Sequence, residues 1–335
     1  MNTKRWIALV IAGVVLVVSL GFQAVWSFLF SDFAGSFEDI LAVEAGGFEP
    51  VVREQGDLSS QIAVLTVEGV IQDTGSSSSF IGSEGYRHQD FLRQIEAVKE
   101  DPTIKGVVLR VNSPGGGVVE SAELHQEIVE LTEEKPVYVS MGATAASGGY
   151  YISAPAQKIF ASKETMTGSL GVIMQSINVS ELADRFGVEM ITVASGPYKD
   201  MLNPTKEVSE EERAILSSMV ENSYNAFVEV IQNGREMSEE KVRTLADGRI
   251  YDGIQAKENG LIDEFGYLDD VIEAMKVDED LEGAQVVEYR TTSSIGSLFS
   301  AQVGSLFGSG FSEVGMLERI LQRSGGPRLM YLYTE

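Results

Sequence analysis

The chain has 335 residues, of which 44% are apolar, so it can bury the core of one large or two modest domains. It contains no cysteine and only two histidines, which excludes a thiolate nucleophile, disulfides and a histidine-rich metal site. Acidic residues outnumber basic ones 50 to 25, and the net charge of −25 argues against nucleic acid as a partner. The acidity fits either an ordinary solvated surface or an adaptation to a salty or alkaline exterior.

The first predicted element is a transmembrane helix over residues 6–30, which carry no charge. At ~1.5 Å per residue, a helix of this length covers the ~30 Å hydrocarbon core of a bilayer. Lys4 and Arg5 precede it, and no Lys or Arg follows until Arg53, so the positive-inside rule places residues 1–5 in the cytoplasm and the rest outside. A cleaved signal peptide is the competing interpretation, but the apolar run is long and no clean A-x-A site follows it.

Residues 31–60 are acidic and lack a sustained hydrophobic period, which predicts a stalk that lifts a folded domain off the membrane. In the following domain, residues 61–290, apolar β-rich runs alternate with segments of helical spacing. The predicted strands are 62–71, 104–111, 136–141, 158–162, 171–174 and 188–193. The predicted helices are 89–99, 118–133, 180–186, 209–231 and 238–245. This alternation is typical of an α/β protein with βαβ units and a mainly parallel sheet.

Two of the predicted helices have recognisable starts. Ser209 as N-cap and Glu212 three residues later form a capping box. Ser238 is a weaker start, because Lys241 stands where the box would need Glu or Gln.

Two glycine-rich turns each follow a predicted strand and precede a helix. In the first, SPGGG at residues 113–117, backbone N–H groups favour negative charge, although a plain turn also needs glycine. The second, AASGGY at residues 145–150, places Ser147 where a serine is most often an N-cap. It is not the G-x-S-x-G elbow of the α/β-hydrolases, since Ala145 stands at the first glycine position.

A serine nucleophile needs a base at neutral pH. No motif pairs His88 or His125 with Ser147, although a Ser–His pairing stays open. The alternative base is a lysine that burial keeps neutral. Lys199 is the best candidate because it lies just beyond a predicted buried strand, although most lysines are ordinary surface residues.

Five separated motifs, in this order, resemble signal peptide peptidase A in its short, Gram-positive-type form. They are SPGGG at 113–117, AASGGYY at 145–151, TGSLGVI at 167–173, SGPYKD at 195–200 and DGRIYDGIQAKENGLIDEFG at 247–266. The resemblance spans residues 62–275. It implies a Clp-protease/crotonase-like fold of repeated ββα units. Val172 stands where a Clp-type peptidase would have its histidine.

By this resemblance the chain is a serine endopeptidase with a Ser–Lys dyad and no cofactor or metal. Ser147 would be the nucleophile and Lys199 the general base. Ser169 would orient the lysine amine. Gly116 and Gly148 would donate backbone N–H groups to the oxyanion, an arrangement that stabilises a tetrahedral intermediate.

The resemblance also implies partners. Family members degrade signal peptides left in the cytoplasmic membrane after secretion, so we expect peptide substrates with an apolar residue at the cleavage site. They assemble as homo-oligomeric rings, octameric in the short form, with sites shared between protomers. Two other interpretations are a catalytically inert membrane scaffold that binds polypeptides and a crotonase-type acyl-CoA enzyme. The latter would lack its CoA supply outside the cytoplasm.

Residues 291–335 form a Gly/Ser-rich tail that ends in the apolar segment PRLMYLYTE from Pro327. The simplest interpretation of this segment is a docked terminal strand. The alternative is a segment that enters an active-site groove, where it regulates the enzyme or is trimmed by it.

Overall fold

The computed structural model describes residues 48–73, 86–291 and 328–333. Within them the strands are β1 (Phe48–Glu54), β2 (Asp57–Glu68), β3 (Ile104–Ser113), β4 (Gly115–Gly117), β5 (Val137–Ala146), β6 (Lys158–Ala161), β7 (Met166–Gly168), β8 (Ile173–Met174), β9 (Ile250–Tyr251), β10 (Glu264–Phe265), β11 (Ala284–Thr291) and β12 (Leu329–Leu332). The helices are α1 (His88–Glu100), α2 (Val118–Glu134), α3 (Gly148–Ser153), α4 (Ser180–Arg185), α5 (Glu210–Arg235), α6 (Glu239–Leu245), α7 (Gly253–Asn259) and α8 (Leu268–Asp278).

The main sheet has the strand order β1-β11-β2-β3-β5-β6-β10, with β7 and β9 continuing from β5. The pairs β11–β2, β2–β3, β3–β5, β5–β6 and β6–β10 are all parallel. The prediction of an α/β fold with a mainly parallel sheet is therefore confirmed. Residues 48–60, which the sequence assigned to the stalk, supply β1 and the start of β2.

Alternate residues of the central strands face opposite sides of the sheet, and each side is buried. On one side, residues of β2 such as Ala63 and Leu65 share a core with α1 and α2. On the other side, Ile62 and Val64 pack in a second core with α8. Burial on both faces explains why β2, β3 and β5 are continuous apolar runs in the sequence.

A second, smaller sheet has the order β4-β12-β8 and is antiparallel throughout. Its central strand comes from the tail, so the prediction of a docked terminal strand is confirmed for residues 328–333. This sheet lies where β3 ends, since β4 begins two residues after Ser113.

Most predicted elements have the right type, with ends that shift by a few residues. The capping box at α5 is confirmed, because Ser209 Oγ accepts the Glu212 N–H and the Glu212 carboxylate accepts the Ser209 N–H. Ser238 also caps α6 as predicted, accepting from the Lys241 N–H at 3.3 Å.

The predicted strand at 188–193 is wrong. These residues are irregular and exposed, and the Val193 side chain is 96% accessible. Their apolar residues fit a strand, but a strand also needs a neighbour for its backbone groups, and the described part of this chain provides none.

None of the described helices combines the length and apolar character that crossing a bilayer requires. The predicted anchor at residues 6–30 lies outside the described residues, as do residues 31–47 of the predicted stalk.

Candidate active site

Ser147 lies at the junction between β5 and α3, where its backbone adopts an unusual conformation. Its φ of 53° and ψ of −115° belong to a region that residues with a Cβ rarely occupy. Two hydrogen bonds fix this conformation. The Ser147 N–H donates to the Gly168 carbonyl at 2.8 Å, and the Ser147 carbonyl accepts from the Tyr151 N–H at 2.9 Å. The residue is only 1% exposed.

The two glycine-rich turns meet beside Ser147. A Cβ added to Gly148 would lie 3.1 Å from the Gly116 nitrogen, and a Cβ added to Gly115 would lie 2.6 Å from the Gly148 nitrogen. The segments approach this closely because neither has side chains between them. The structure therefore brings Gly116 and Gly148, the two predicted oxyanion donors, to the same place.

One edge of β4 is held by residues that were not predicted to belong to the site. The Gly117 N–H donates to the Ile71 carbonyl at 2.8 Å, and the Ile71 N–H donates to the Gly115 carbonyl at 2.9 Å. Ser113 Oγ also accepts from the Gly115 N–H at 3.0 Å. Ser113 belongs to the SPGGG motif, and its place directly before the glycines is the signal that could have identified it.

Ser169 is joined to the Ser147 junction by strand pairing. β7 pairs in parallel with β5, so that Ala146 lies opposite Gly168, and Thr167 Oγ1 donates to the Ala145 carbonyl at 2.6 Å. Ser169 follows directly, with a φ of 50° and its N–H bonded to the Arg249 carbonyl at 2.7 Å. Ser147 and Ser169 thus both depart from ordinary backbone geometry, at the ends of neighbouring strands.

Lys199 is not brought to this junction within the single chain. It lies in an exposed turn, and no hydrogen bond among the described residues joins its amine to Ser147 or Ser169. The turn is tied instead to α5, because Lys206 Nζ donates to the carboxylates of Asp200 and Glu212 at 2.7 and 2.8 Å.

Exposed apolar side chains precede Lys199 along the chain. They are Ile177, Leu182, Phe186, Val188, Met190, Ile191, Val193 and Tyr198. An apolar surface of this extent on a folded chain indicates an interaction surface.

Neither histidine is paired with Ser147 in the described chain. Both ring nitrogens of His88 are engaged, one with the Tyr86 hydroxyl at 2.6 Å and one with the Glu123 carboxylate at 2.8 Å. His125 packs edge-on against Tyr151, and burial lowers its pKa to about 4.

Strand β12 covers the free edge of β4. Tyr331 lies opposite Gly116, and the Tyr333 N–H donates to the Pro114 carbonyl at 2.8 Å. Since hydrogen-bonded pairs alternate along an antiparallel ladder, Tyr331 and Gly116 form the next bonded pair. The Tyr331 carbonyl also lies close to Gly148, because a Cβ on Gly115 would be 2.0 Å from that oxygen and 2.6 Å from the Gly148 nitrogen.

The Tyr331 side chain fills an aromatic pocket beside the junction. Its ring centroid lies 4.8 Å from those of Tyr151 and Phe227, and its hydroxyl donates to the Ser223 carbonyl at 3.0 Å. Burial raises the pKa of the Tyr331 phenol, so the hydroxyl stays protonated and can donate. The pocket walls come from α3 and α5, and of their residues only Tyr151 lies within one of the five motifs.

Within the residues that the structure describes, no three His, Asp or Glu side chains are grouped so that they could hold a metal ion.

Comparison with known proteins gives a consistent family. The model of peptidase family S49 matches residues 130–282. A protein of Enterococcus faecium named "Putative signal peptide peptidase SppA" is 43% identical over 84% of this chain and 83% of its own length. Protease 4 of Salmonella typhi is 35% identical over 66% of this chain and 35% of its own length. A chloroplastic serine protease of Arabidopsis thaliana, SPPA, is 30% identical over 79% of this chain and 40% of its own length.

Proposed function

The chain belongs to peptidase family S49 and is a serine protease, and we propose that it is a membrane-anchored endopeptidase that uses Ser147 and Lys199 as a catalytic dyad. Its substrates are cleaved signal peptides and other peptides at the outer face of the cytoplasmic membrane. The observation that carries the proposal is the meeting of Ser147, Gly116 and Gly148 at one strained strand-to-helix junction.

In the proposed mechanism the Ser147 hydroxyl attacks the scissile carbonyl while the Lys199 amine takes its proton. The resulting oxyanion accepts hydrogen bonds from the Gly116 and Gly148 N–H groups, each worth about 3–4 kcal/mol by the effect of removing such donors in other proteases. Lys199 then returns the proton to the leaving amine, and water repeats the cycle on the acyl-enzyme. Ser169 orients the lysine amine and acts only through it.

A lysine must be neutral to accept the serine proton, and burial away from water favours the neutral amine. Because Lys199 is exposed in the single chain, we propose that it is buried only on assembly. In a homo-oligomeric ring, an octamer by the family resemblance, the exposed apolar segment at 177–198 would pack on a neighbour. Lys199 of one protomer would then complete the site around Ser147 of the next.

The tail supports a peptide-cleaving site. Tyr331 presents its carbonyl beside Gly116 and Gly148, and its side chain fills the adjoining pocket. A substrate strand that pairs with β4 in this way would be cut after the residue in the position of Tyr331. The tail would then regulate the site by occupying it, or be trimmed by it after Tyr331.

The dyad is tested with a fluorogenic peptide and the purified full-length protein. Ser147→Ala and Lys199→Ala should each abolish turnover, while Lys241→Ala, which removes an exposed lysine elsewhere, should not. The wild-type rate should rise with pH, because the protonated amine is inactive as a base. Equal rates for all four proteins would contradict the dyad.

Sharing of the site between protomers has its own test. Mixed oligomers of Ser147→Ala and Lys199→Ala contain interfaces where an intact Ser147 meets an intact Lys199. Activity should therefore return on dissociation and reassembly of the two inactive variants together. A mixture that stays inactive although mixed oligomers form would show that both residues act within one chain.

Trimming is tested by mass spectrometry of the tail in wild type and in Ser147→Ala. Loss of residues after Tyr331 in the wild type alone is expected, and an intact tail in both would exclude self-trimming.

The anchor is tested by external protease on spheroplasts, which should digest the domain and leave residues 1–30 with the membrane. A domain protected until the cells are lysed would contradict the proposed orientation.

A further inference from the structure

Arg328 is the first described residue of the tail, three positions before Tyr331. Its guanidinium donates from Nη2 to the Gln72 side-chain oxygen at 3.0 Å, and its Nη1 lies 3.7 Å from Glu120 Oε1. Gln72 follows the segment that borders β4, and Glu120 lies in the first turn of α2. Both acceptors therefore belong to the segments that flank β4, and neither belongs to the tail.

The Glu120 carboxylate is held in place by the body of the protein. Its Oε1 accepts from the Asp73 N–H at 3.2 Å, and its Oε2 lies 1.9 Å from where a Cβ on Gly117 would be. The carboxylate thus rests directly on β4, and its side chain is only 14% exposed. A carboxylate held in this way loses little conformational entropy when it binds a cation. It therefore binds a cation more strongly than a mobile surface carboxylate does.

Other acidic groups make the same place negative. After burial, the largest causes that raise the pKa of the Tyr86 phenol are the carboxylates of Glu120, Glu123 and Asp73. A guanidinium or ammonium group is favoured by such a field, and a carboxylate is repelled by it.

We propose that Glu120 and Gln72 form a specificity subsite for a basic residue at P4, the fourth residue before the cleaved bond. The tail shows its occupied form, with Tyr331 at P1 and Arg328 at P4. The subsite rests on the proposed function, since it counts positions from a bond cut beside Ser147. Its consequence is that the enzyme selects among apolar peptides those with Arg or Lys three residues before the P1 residue.

The test compares three acetylated tetrapeptide aminocoumarins on the full-length protein. Their sequences are Arg-Leu-Met-Tyr, Gln-Leu-Met-Tyr and Glu-Leu-Met-Tyr, so they differ only at P4. We expect kcat/KM to fall in this order, with Arg about two- to fivefold above Gln, as for a partly exposed ion pair. In Glu120→Gln, which keeps an oxygen acceptor for the Asp73 N–H, the ratio of Arg to Gln should fall to about one.

Two controls separate a local subsite from general electrostatics. Glu133→Gln makes the same charge change on α2, about 20 Å further along the helix, and should keep the wild-type ratio. Salt at ~1 M should reduce the ratio in wild type but not in Glu120→Gln.

Equal kcat/KM for the three peptides in wild type, or the same ratio in Glu120→Gln and Glu133→Gln, would overturn the subsite. Failure to cleave any of the three peptides would instead overturn the proposed function, provided that Tyr331→Ala, which removes the ring that holds the tail against Tyr151 and Phe227, is inactive as well.

Discussion

The strained backbone at Ser147 makes a prediction about stability that does not depend on activity. A residue with a φ of 53° and a ψ of −115° is strained when it carries a Cβ, and glycine is not. Ser147→Ala and Ser147→Gly both remove the hydroxyl and should both be inactive. They differ in one methyl group, which keeps the strain in the alanine variant and releases it in the glycine variant.

The expected difference follows from three contributions. Such backbone strain costs about 1–3 kcal/mol. Glycine loses about 0.5–1 kcal/mol through the greater freedom of the unfolded chain, and the missing buried methyl removes about 0.8 kcal/mol. Strain in the upper part of its range outweighs the other two, so Ser147→Gly should be more stable than Ser147→Ala by about 1 kcal/mol. For a domain of this size that raises Tm by about 2–4 °C.

The matched control is Ala146→Gly, one residue earlier in β5. Ala146 is fully buried and has no positive φ, so glycine there has no strain to release. It should lower Tm relative to wild type, which is the opposite sign. Thermal unfolding of the purified variants, followed by circular dichroism, measures both differences. If Ser147→Gly melts below Ser147→Ala by as much as Ala146→Gly melts below wild type, Ser147 stores no strain.

Two further predictions concern β4, which contains the proposed oxyanion donor Gly116, and the turn that carries Lys199. Gly116→Ala should lower kcat at least ~100-fold and destabilise the fold by about 1–3 kcal/mol, because its Cβ would lie 1.8 Å from the Ile71 carbonyl oxygen. In the control Gly283→Ala the added Cβ meets nothing, so kcat and stability should both stay unchanged. Equal effects of the two substitutions would refute the packing argument. The hydrogen bond from Lys206 and then that from the Ser209 N–H lower the pKa of the Glu212 carboxyl, so its stabilisation is present above the unfolded value of 4.5 and is lost as the pH falls through the folded value. Glu212→Gln should therefore lower Tm at pH 7, and the difference from wild type should shrink as the pH falls below 4.5. A difference that does not change with pH would contradict this.

The sequence predicted the sheet well because its central strands are buried on both faces. Runs such as 104–111 are short, mostly apolar and rich in Val and Ile, as strands buried on both faces of a parallel sheet are. The helix starts were predicted because capping depends on neighbours in sequence, as at Ser209. Residues 48–54 were missed because β1 lies at the edge of the sheet, where about half of its residues stay exposed and its pattern resembles a polar linker.

Part of the site was predicted from the sequence. The residues that were missed are those whose contacts are distant in sequence. The glycines and Ser147 could be placed because strand-to-helix turns bring them to one sheet edge. Ile71, Phe227 and Gln72 carry no local signal, since each acts through its position beside a residue far along the chain. The prediction of Lys199 rests on its motif, because the strand expected just before it, at 188–193, does not form in the described chain.

Hydrogen bonds at the two strained serines, Ser147 and Ser169, join motifs that are separate in the sequence. Ser147 keeps its conformation because its N–H is bonded to Gly168, and Gly168 is held by the pairing of β7 with β5 on one side and β9 on the other. Ser169 is held in turn by the Arg249 carbonyl, which belongs to the DGRIYDG motif. A change in any one of these segments would relax the backbone of Ser147. The motifs around residues 147, 168 and 250 therefore form one support for Ser147, the proposed nucleophile. Lys199 lies outside that support, as the proposal that it acts from a neighbouring protomer requires.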